Sequence, residues 1–295
     1  MNFEELKELT KMYNQEHLLT NFYEPIKENE IKAEEYLKEL TTIDFPLMQS
    51  LYDNALLNED ADKKLEIEPV DYIDKEKMTF AEKENLKTKG QSLLKEGKVA
   101  AVTMAGGQGT RLGHDKPKGT FDFGVNKSLF EIFCDNLKET FRKVGTYTHW
   151  YIMTSKENNS DTIAFFEENE YFGYPKNYIH FFIQDELPMM GEDGKILIDD
   201  KGEIKFAADG HGGTLYAMQK SGIIDEMNKY GVEYIFISGV DNCLANPTDP
   251  LFVGFAKDTN ADIVVKSIEK IDPKENVGVF CKKNGKVGVV EYSEI

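Results

Sequence analysis

Residues 105–113 read AGGQGTRLG, which places Gly106, Gly107, Gly109 and Gly113 directly after the largely apolar run Val99–Met104 (VAAVTM). A short run of this kind suits a strand buried on both faces. Four glycines immediately beyond it let backbone N–H groups approach and cradle an anion such as a phosphate, because no Cβ stands in the way. Two common phosphate loops are excluded. The GxGxxG fingerprint requires a glycine at position 112, which is Leu112, and a Walker A loop requires Gly-Lys-Ser/Thr, whereas Gly113 is followed by His114. A dinucleotide-dependent dehydrogenase or a P-loop kinase is therefore not expected.

From Val99 onward strands alternate with helices. Ser128 offers an N-cap to a helix carrying Leu129, Phe130, Phe133, Leu137 and Phe141. His149–Ser155, Ile179–Gln184 and Glu233–Ser238 read as further strands, Thr162–Glu168 and Thr214–Lys229 as helices, and a helix is expected from about Pro250. Asp262–Ile268 reads as one more strand. Lys195–Phe206 pivots on Asp200, Lys201 and Gly202 as a hairpin, and Asn284-Gly285 suits the type I′ turn of another. This alternation predicts an α/β fold with a mostly parallel, mixed central sheet flanked by helices.

Residues 1–96 differ. They hold 23 acidic and 13 basic residues, so they carry 10 of the 18 excess negative charges of the 295-residue chain. Phe3, Leu6, Leu9 and Tyr13 fall at helical spacing, Ile31, Tyr36 and Leu40 more loosely, and Pro25, Pro46 and Pro69 punctuate these helices. The division expected is a helical N-terminal region over 1–96 and an α/β domain over 97–295. The net charge of −18 argues against a protein built to grip nucleic acid or an anionic membrane, though a local basic cluster can still hold a small polyanion. Cys134, Cys243 and Cys281 show no metal or disulfide spacing, and no secretory pattern or long apolar stretch is present. Reduced thiols in the cytoplasm are the expectation. The chain stops at Glu291-Tyr292-Ser293-Glu294-Ile295 in a strand-like segment, which reads as a cut.

Two cations stand on the glycine loop. Arg111 is one of only two arginines, with Arg142, and Lys118 follows seven positions on. A guanidinium presents a planar fork to phosphate oxygens and an ammonium a point charge. Together they suit a polyphosphate undergoing substitution.

The run Ala105–Gly113 followed by Pro117-Lys118-Gly119 resembles the signature loop of the nucleotide-sugar pyrophosphorylases. The UDP-N-acetylhexosamine and UDP-glucose branch is the nearest. Lys127–Phe130, Phe182–Met189, Asp209–Tyr216, Val240–Asn242 and Gly278 with Val290–Ile295 are similar to its other segments in order and spacing. The resemblance implies a Rossmann-like nucleotidyltransferase fold and a reaction in which a sugar 1-phosphate attacks the α-phosphate of UTP, giving a UDP-sugar and pyrophosphate. It implies that Arg111 and Lys118 are catalytic, the first on the leaving group and the second at the reacting centre. Ala105, Gly106, Gly107, Gln184, Gly210 and Gly212 would hold the nucleotide, with Gln184 reading uracil. His211, Asn242, Gly278 and Glu291 would contact the sugar, and Asp241 would hold Mg²⁺. His211 stands where the eukaryotic N-acetylhexosamine enzymes are similar but carry asparagine near the N-acetyl group, which leaves N-acetylglucosamine, N-acetylgalactosamine and glucose 1-phosphates open. The leading expectation is N-acetylglucosamine 1-phosphate, with glucose 1-phosphate and a non-catalytic nucleotide-sugar binder as alternatives. The sequence assigns no oligomeric state.

Overall fold

The computed structural model describes residues 2–59 and 66–292. The chain falls into two compact units, residues 1–63 with 185–209, and residues 64–184 with 210–295. The strands in chain order are β1 (Ile67–Glu68), β2 (Val99–Met104), β3 (His149–Thr154), β4 (Ile179–Ile183), β5 (Glu186–Pro188), β6 (Phe206–Ala208), β7 (Tyr234–Gly239), β8 (Val279–Lys283) and β9 (Lys286–Val290).

The larger unit is built on a four-stranded sheet ordered β4-β3-β2-β7, with every pair parallel. Alternation along β2 sends Ala100 and Val102 to one face and Ala101 to the other. On the first face they meet Tyr151, Met153 and Phe182 together with Ala217, Met218, Ile223 and Met227. On the second, Ala101 joins Trp150 and Ile152 under Leu129, Phe130, Phe133, Leu137 and Phe166. The α/β class expected from the alternating pattern is the observed one.

The helix Leu129–Val144 forms where its caps dictate. Ser128 Oγ accepts the Glu131 N–H at 3.1 Å, and Gly145 closes the far end at φ 79°. Phe130 and Phe133 are fully buried, worth about 1.5–3 kcal/mol each. The helix Phe80–Lys95, which the sequence reading groups with the N-terminal region, packs instead on Pro250–Thr259 in this unit. Two glycines set that crossing: a Cβ on Gly90 would lie 1.9 Å from the Pro250 carbonyl oxygen, and one on Gly254 1.8 Å from that of Leu86. A separate antiparallel sheet, β1-β8-β9, carries the Asn284-Gly285 turn at φ 52° and 76°, as a type I′ turn requires.

Two expectations fail. Asp262–Ile268 forms no strand: Ile263 and Ile268 are 81% and 96% exposed, and among the described residues no neighbour pairs with the segment's backbone. Strand propensity without a partner leaves N–H and C=O groups to water, so the pattern alone does not make a strand. The single helix over Thr214–Lys229 is two, Thr214–Lys220 and Ile223–Lys229, parted at Gly222 with φ 77°.

The smaller unit joins the helices Phe3–Met12, Glu30–Leu40 and Phe45–Glu59 to the hairpin segment 185–209. Leu6, Leu18, Leu40 and Phe45 share one core with Ile196 and Ile204 of that segment. The buried Gln15 amide donates to the Gly194 carbonyl at 2.6 Å and accepts the Ile196 N–H at 2.9 Å, satisfying both of its ends. The expected pivot is present, with the Gly202 N–H donating to the Asp199 carbonyl and Ile198 bridging Ile204. Among the described residues no helix is long and apolar enough to cross a membrane.

Candidate functional site

A parallel sheet brings its strand carboxyl ends to one side. Here β2 delivers Ala105, β3 Ser155, β4 Gln184 and β7 Asp241. The chain order reverses at β2, since β3 and β4 lie to one side of it and β7 to the other. Open α/β sheets place ligands at such a switch point.

The glycine loop is pinned at both ends. The Ala105 N–H donates to the Met153 carbonyl at 2.7 Å. At the far end Gly119 lies so close under Phe130 that a Cβ would sit 2.2 Å from its ring. Inside the loop the Lys118 N–H donates to the Gly107 carbonyl at 3.1 Å and the Gly109 N–H to the Lys116 carbonyl at 3.0 Å, making a bridge between Gln108 and Pro117. Among the described residues nothing accepts the N–H groups of Gly106, Gly107 and Gln108. Three successive N–H groups are thus left as donors for an anion to accept.

Gly106 has no room for a side chain, since its Cβ would stand 2.6 Å from Gln184 Oε1, whereas the space beside Gly107 is open. Gln184 is buried at 7% exposure; its N–H donates to the Thr154 carbonyl at 2.7 Å and its Nε2 to the Gly210 carbonyl at 3.0 Å. It therefore ties the first glycine loop to the second, where His211 and Gly212 form a short turn leading into Thr214–Lys220.

Lys118 Nζ donates to Asp241 Oδ2 at 2.8 Å, linking the loop after β2 to the loop after β7. This ammonium holds the Asp241 carboxyl below the usual carboxylate range, against a smaller opposing effect of burial, and His211 adds to the lowering. Arg111 is exposed, and among the described residues its side chain has no ion-pair or hydrogen-bond partner. The two expected catalytic cations thus differ: one rests on a carboxylate within the site, the other is uncommitted.

Ala105, Gly106, Gly107, Lys118, Gln184, Gly210, His211 and Asp241 are brought together by these contacts. Asn242 stands next to Asp241 with its N–H donating to the Gly239 carbonyl at 3.1 Å. Gly278 and Glu291 form a group of their own at the open end of the β8–β9 hairpin, a Cβ on Gly278 falling 3.3 Å from both Glu291 carboxylate oxygens. The end of that segment, residues 293–295, lies outside the described residues.

Sequence reasoning missed Asn158. It is fully buried, its Oδ1 accepts the Ser155 N–H at 2.9 Å, and its Nδ2 donates to the carbonyls of Ala105 at 3.0 Å and Gly107 at 3.3 Å. The available signal was Ser155-x-x-Asn158 between a strand and a helix, which usually marks only a helix start.

An all-parallel four-stranded sheet flanked by helices, with a glycine-rich loop leaving β2 at its switch point, defines an α/β protein of the open-sheet class. The chain belongs to the UTP–glucose-1-phosphate uridylyltransferase family, whose model matches residues 46–295. It is 36% identical over 310 residues to the probable UDP-N-acetylglucosamine pyrophosphorylase of Dictyostelium discoideum, covering 100% of this chain and 63% of that protein. It is 36% identical over 249 residues to the UDP-N-acetylglucosamine pyrophosphorylase of Saccharomyces cerevisiae, covering 82% of this chain and 52% of that protein. Among solved structures, the uridine diphosphate N-acetylglucosamine pyrophosphorylase of Trypanosoma brucei, in complex with inhibitor, superposes with a TM-score of 0.76 at 33% identity over 86% of this chain and 54% of that one. The chain therefore spans between half and two thirds of the length of these relatives.

Proposed function

We propose that this chain is the nucleotide-handling part of a uridylyltransferase that makes UDP-N-acetylglucosamine and pyrophosphate from UTP and N-acetylglucosamine 1-phosphate. The observation that carries the reading is the row of N–H donors at Gly106–Gln108, uncommitted among the described residues, at the sheet's switch point and on the same loop as Arg111 and Lys118. In the reaction a phosphate oxygen of the sugar 1-phosphate bonds to the α-phosphorus of UTP while the bond to the β-phosphate oxygen breaks, and the electron pair leaves with pyrophosphate. Both reactants are anions, so catalysis is alignment plus charge neutralisation.

Arg111, whose side chain has no partner among the described residues, would take the charge growing on pyrophosphate. Lys118 would hold oxygens at the reacting phosphorus. Gln184 would read the uracil edge from the amide that also spaces the two glycine loops, and Gly212 would leave room for the nucleotide. His211, Asn242, Gly278 and Glu291 would meet the sugar. Asp241 fits a Mg²⁺ site of the one-carboxylate kind that substrate phosphates complete, because it is ionised and its side chain is 61% exposed. Bound there, the ion would neutralise phosphate charge; among the described residues no cluster of three His, Cys, Asp or Glu forms a rival site. The N-acetylated sugar is preferred over glucose because relatives at 33–36% identity carry the N-acetylglucosamine name, whereas UDP-glucose pyrophosphorylase structures match at 16–20%. The three free cysteines, two of them buried, agree with a cytoplasmic setting.

The test is pyrophosphate release from UTP with N-acetylglucosamine 1-phosphate or glucose 1-phosphate. Release is expected with the first in preference, and Arg111→Ala is expected to lower turnover by about 10²-fold, the scale of losing one charge-stabilising donor. Preference for glucose 1-phosphate would overturn the sugar assignment, and undiminished turnover of Arg111→Ala would overturn its role.

A further inference from the structure

The N-cap asparagine of the helix Asn159–Glu168 does not cap that helix: Asn158 makes no side-chain bond to the first-turn N–H groups. A side chain of this type at this position ordinarily supplies that bond, worth about 1 kcal/mol. Here the amide is turned inward, its oxygen to Ser155 at the end of β3 and its NH₂ group to the glycine loop. Its Oδ1 accepts the Ser155 N–H, and its NH₂ group spans the carbonyls of Ala105 and Gly107, two residues apart on the loop. Ser155 Oγ returns the contact by accepting the Asn158 N–H at 3.2 Å. The residue is 0% exposed, so the arrangement is fixed on all sides.

The orientation of the loop's donors follows from this. In a trans peptide the C=O of one residue and the N–H of the next point in opposite directions. With the carbonyls of Ala105 and Gly107 drawn onto Asn158, the N–H groups of Gly106 and Gln108 face away from it. Those are members of the row that nothing accepts among the described residues. Gly106 cannot yield in the other direction, because Gln184 Oε1 occupies the place of its absent side chain. We infer that Asn158 is the positioning residue that holds the loop in its donor-outward state, and that phosphate recognition depends on its NH₂ group although it touches no phosphate. The inference rests on the nucleotide reading above for the identity of the anion, but the loop geometry stands without it.

Asn158→Asp is the informative substitution. It is isosteric and keeps the acceptor for the Ser155 N–H, but sets a second oxygen against two carbonyls in place of the donor. Asn158→Ala removes all three side-chain hydrogen bonds. Asn159→Ala serves as control: it deletes the neighbouring bond, in which Thr154 Oγ1 donates to Asn159 Oδ1 at 2.7 Å, without touching the glycine loop. Hydrogen exchange is followed across the whole chain by mass spectrometry, and UTP affinity by calorimetric titration.

Both Asn158 variants are expected to speed exchange in residues 105–119 by about tenfold or more and to weaken UTP binding by at least about tenfold, on the scale of a lost buried hydrogen bond. Asn159→Ala is expected to leave both within about twofold. Unchanged loop exchange in Asn158→Asp overturns the inference whatever UTP does. So does faster loop exchange with unaltered UTP affinity, or acceleration spread over the whole chain, which would mark a core role instead. Absence of UTP binding by the wild-type chain sinks the nucleotide reading, and the exchange measurement then decides the positioning role alone.

Discussion

Gly106→Ala tests the packing at the centre of the site. The new methyl carbon would stand 2.6 Å from Gln184 Oε1, well inside the closest ordinary approach, and 3.4 Å from the Ser155 nitrogen. Gln184 is the flexible partner, yet it is buried at 7% exposure and its Nε2 donates to the Gly210 carbonyl. Moving it breaks that bond, about 1 kcal/mol, and leaves overpacking of about 1–2 kcal/mol. A loss of about 2–3 kcal/mol is therefore expected. Gly107→Ala meets open space at a backbone angle outside the left-handed region, and is expected to stay within about 0.5 kcal/mol of wild type. Urea unfolding followed by Trp150 fluorescence measures both, since this single tryptophan is fully buried in the unit concerned. Equal stability of the two variants would refute the placement of Gln184 over Gly106.

Other consequences are open to measurement. Gly254→Ala forces a methyl to 1.8 Å from the Leu86 carbonyl oxygen, where backbone on both helices must separate, and is expected to cost about 3 kcal/mol in the same urea assay; a loss below about 0.5 kcal/mol would contradict the helix crossing. Lys118→Ala removes the main cause of the lowered Asp241 carboxyl, so its titration by carbon-13 NMR should move upward toward the ordinary value; an unmoved titration would contradict the pair. Burial and, secondarily, His180 lower the His149 pKa to about 4 from an unfolded value of about 6.5. Its Nδ1 lies 2.9 Å from His180 Nε2, and His180 in turn meets Glu226 at 2.6 Å, with Tyr230 stacked on His149 and Tyr151 on His180. The folded state resists the proton that the unfolded state takes up, so stability is full above about pH 6.5 and falls as pH drops toward 4, by at most about 3 kcal/mol. Urea unfolding across that window should show a shallower decline in His149→Gln; an identical decline would remove His149 from the account.

Elements written by local chemistry were legible in the sequence. Val99–Met104 reads as an interior strand, Ser128 as the N-cap of its helix, and Asn284-Gly285 admits few turns. The glycine loop stood out because four glycines after a buried strand have few structural explanations. What was not legible depends on residues distant in the chain. Asp262–Ile268 has the composition of a strand but lacks a partner, and composition cannot supply one. The hairpin around Gly202 shares its core with N-terminal helices some 180 positions earlier, through bonds such as that of Gln15 to Gly194. Lys118 reads as a phosphate-facing cation, and its resting partner Asp241, 123 positions away, leaves no mark in the sequence. Asn158 was overlooked because an asparagine before a helix already has a sufficient local explanation.

The central claim is that the loop over residues 105–119, with Arg111 and Lys118, holds a uridine nucleotide. Thermal unfolding of the chain with UTP, against ATP and dTTP at the same concentration, tests it most directly. A ligand bound only by the folded state at about a hundred times its Kd adds about 2.7 kcal/mol. UTP is expected to raise Tm by several degrees, more than ATP or dTTP does, and the Arg111→Ala, Lys118→Ala double variant is expected to lose that rise. No rise with UTP, or the same rise in the double variant, would contradict the account.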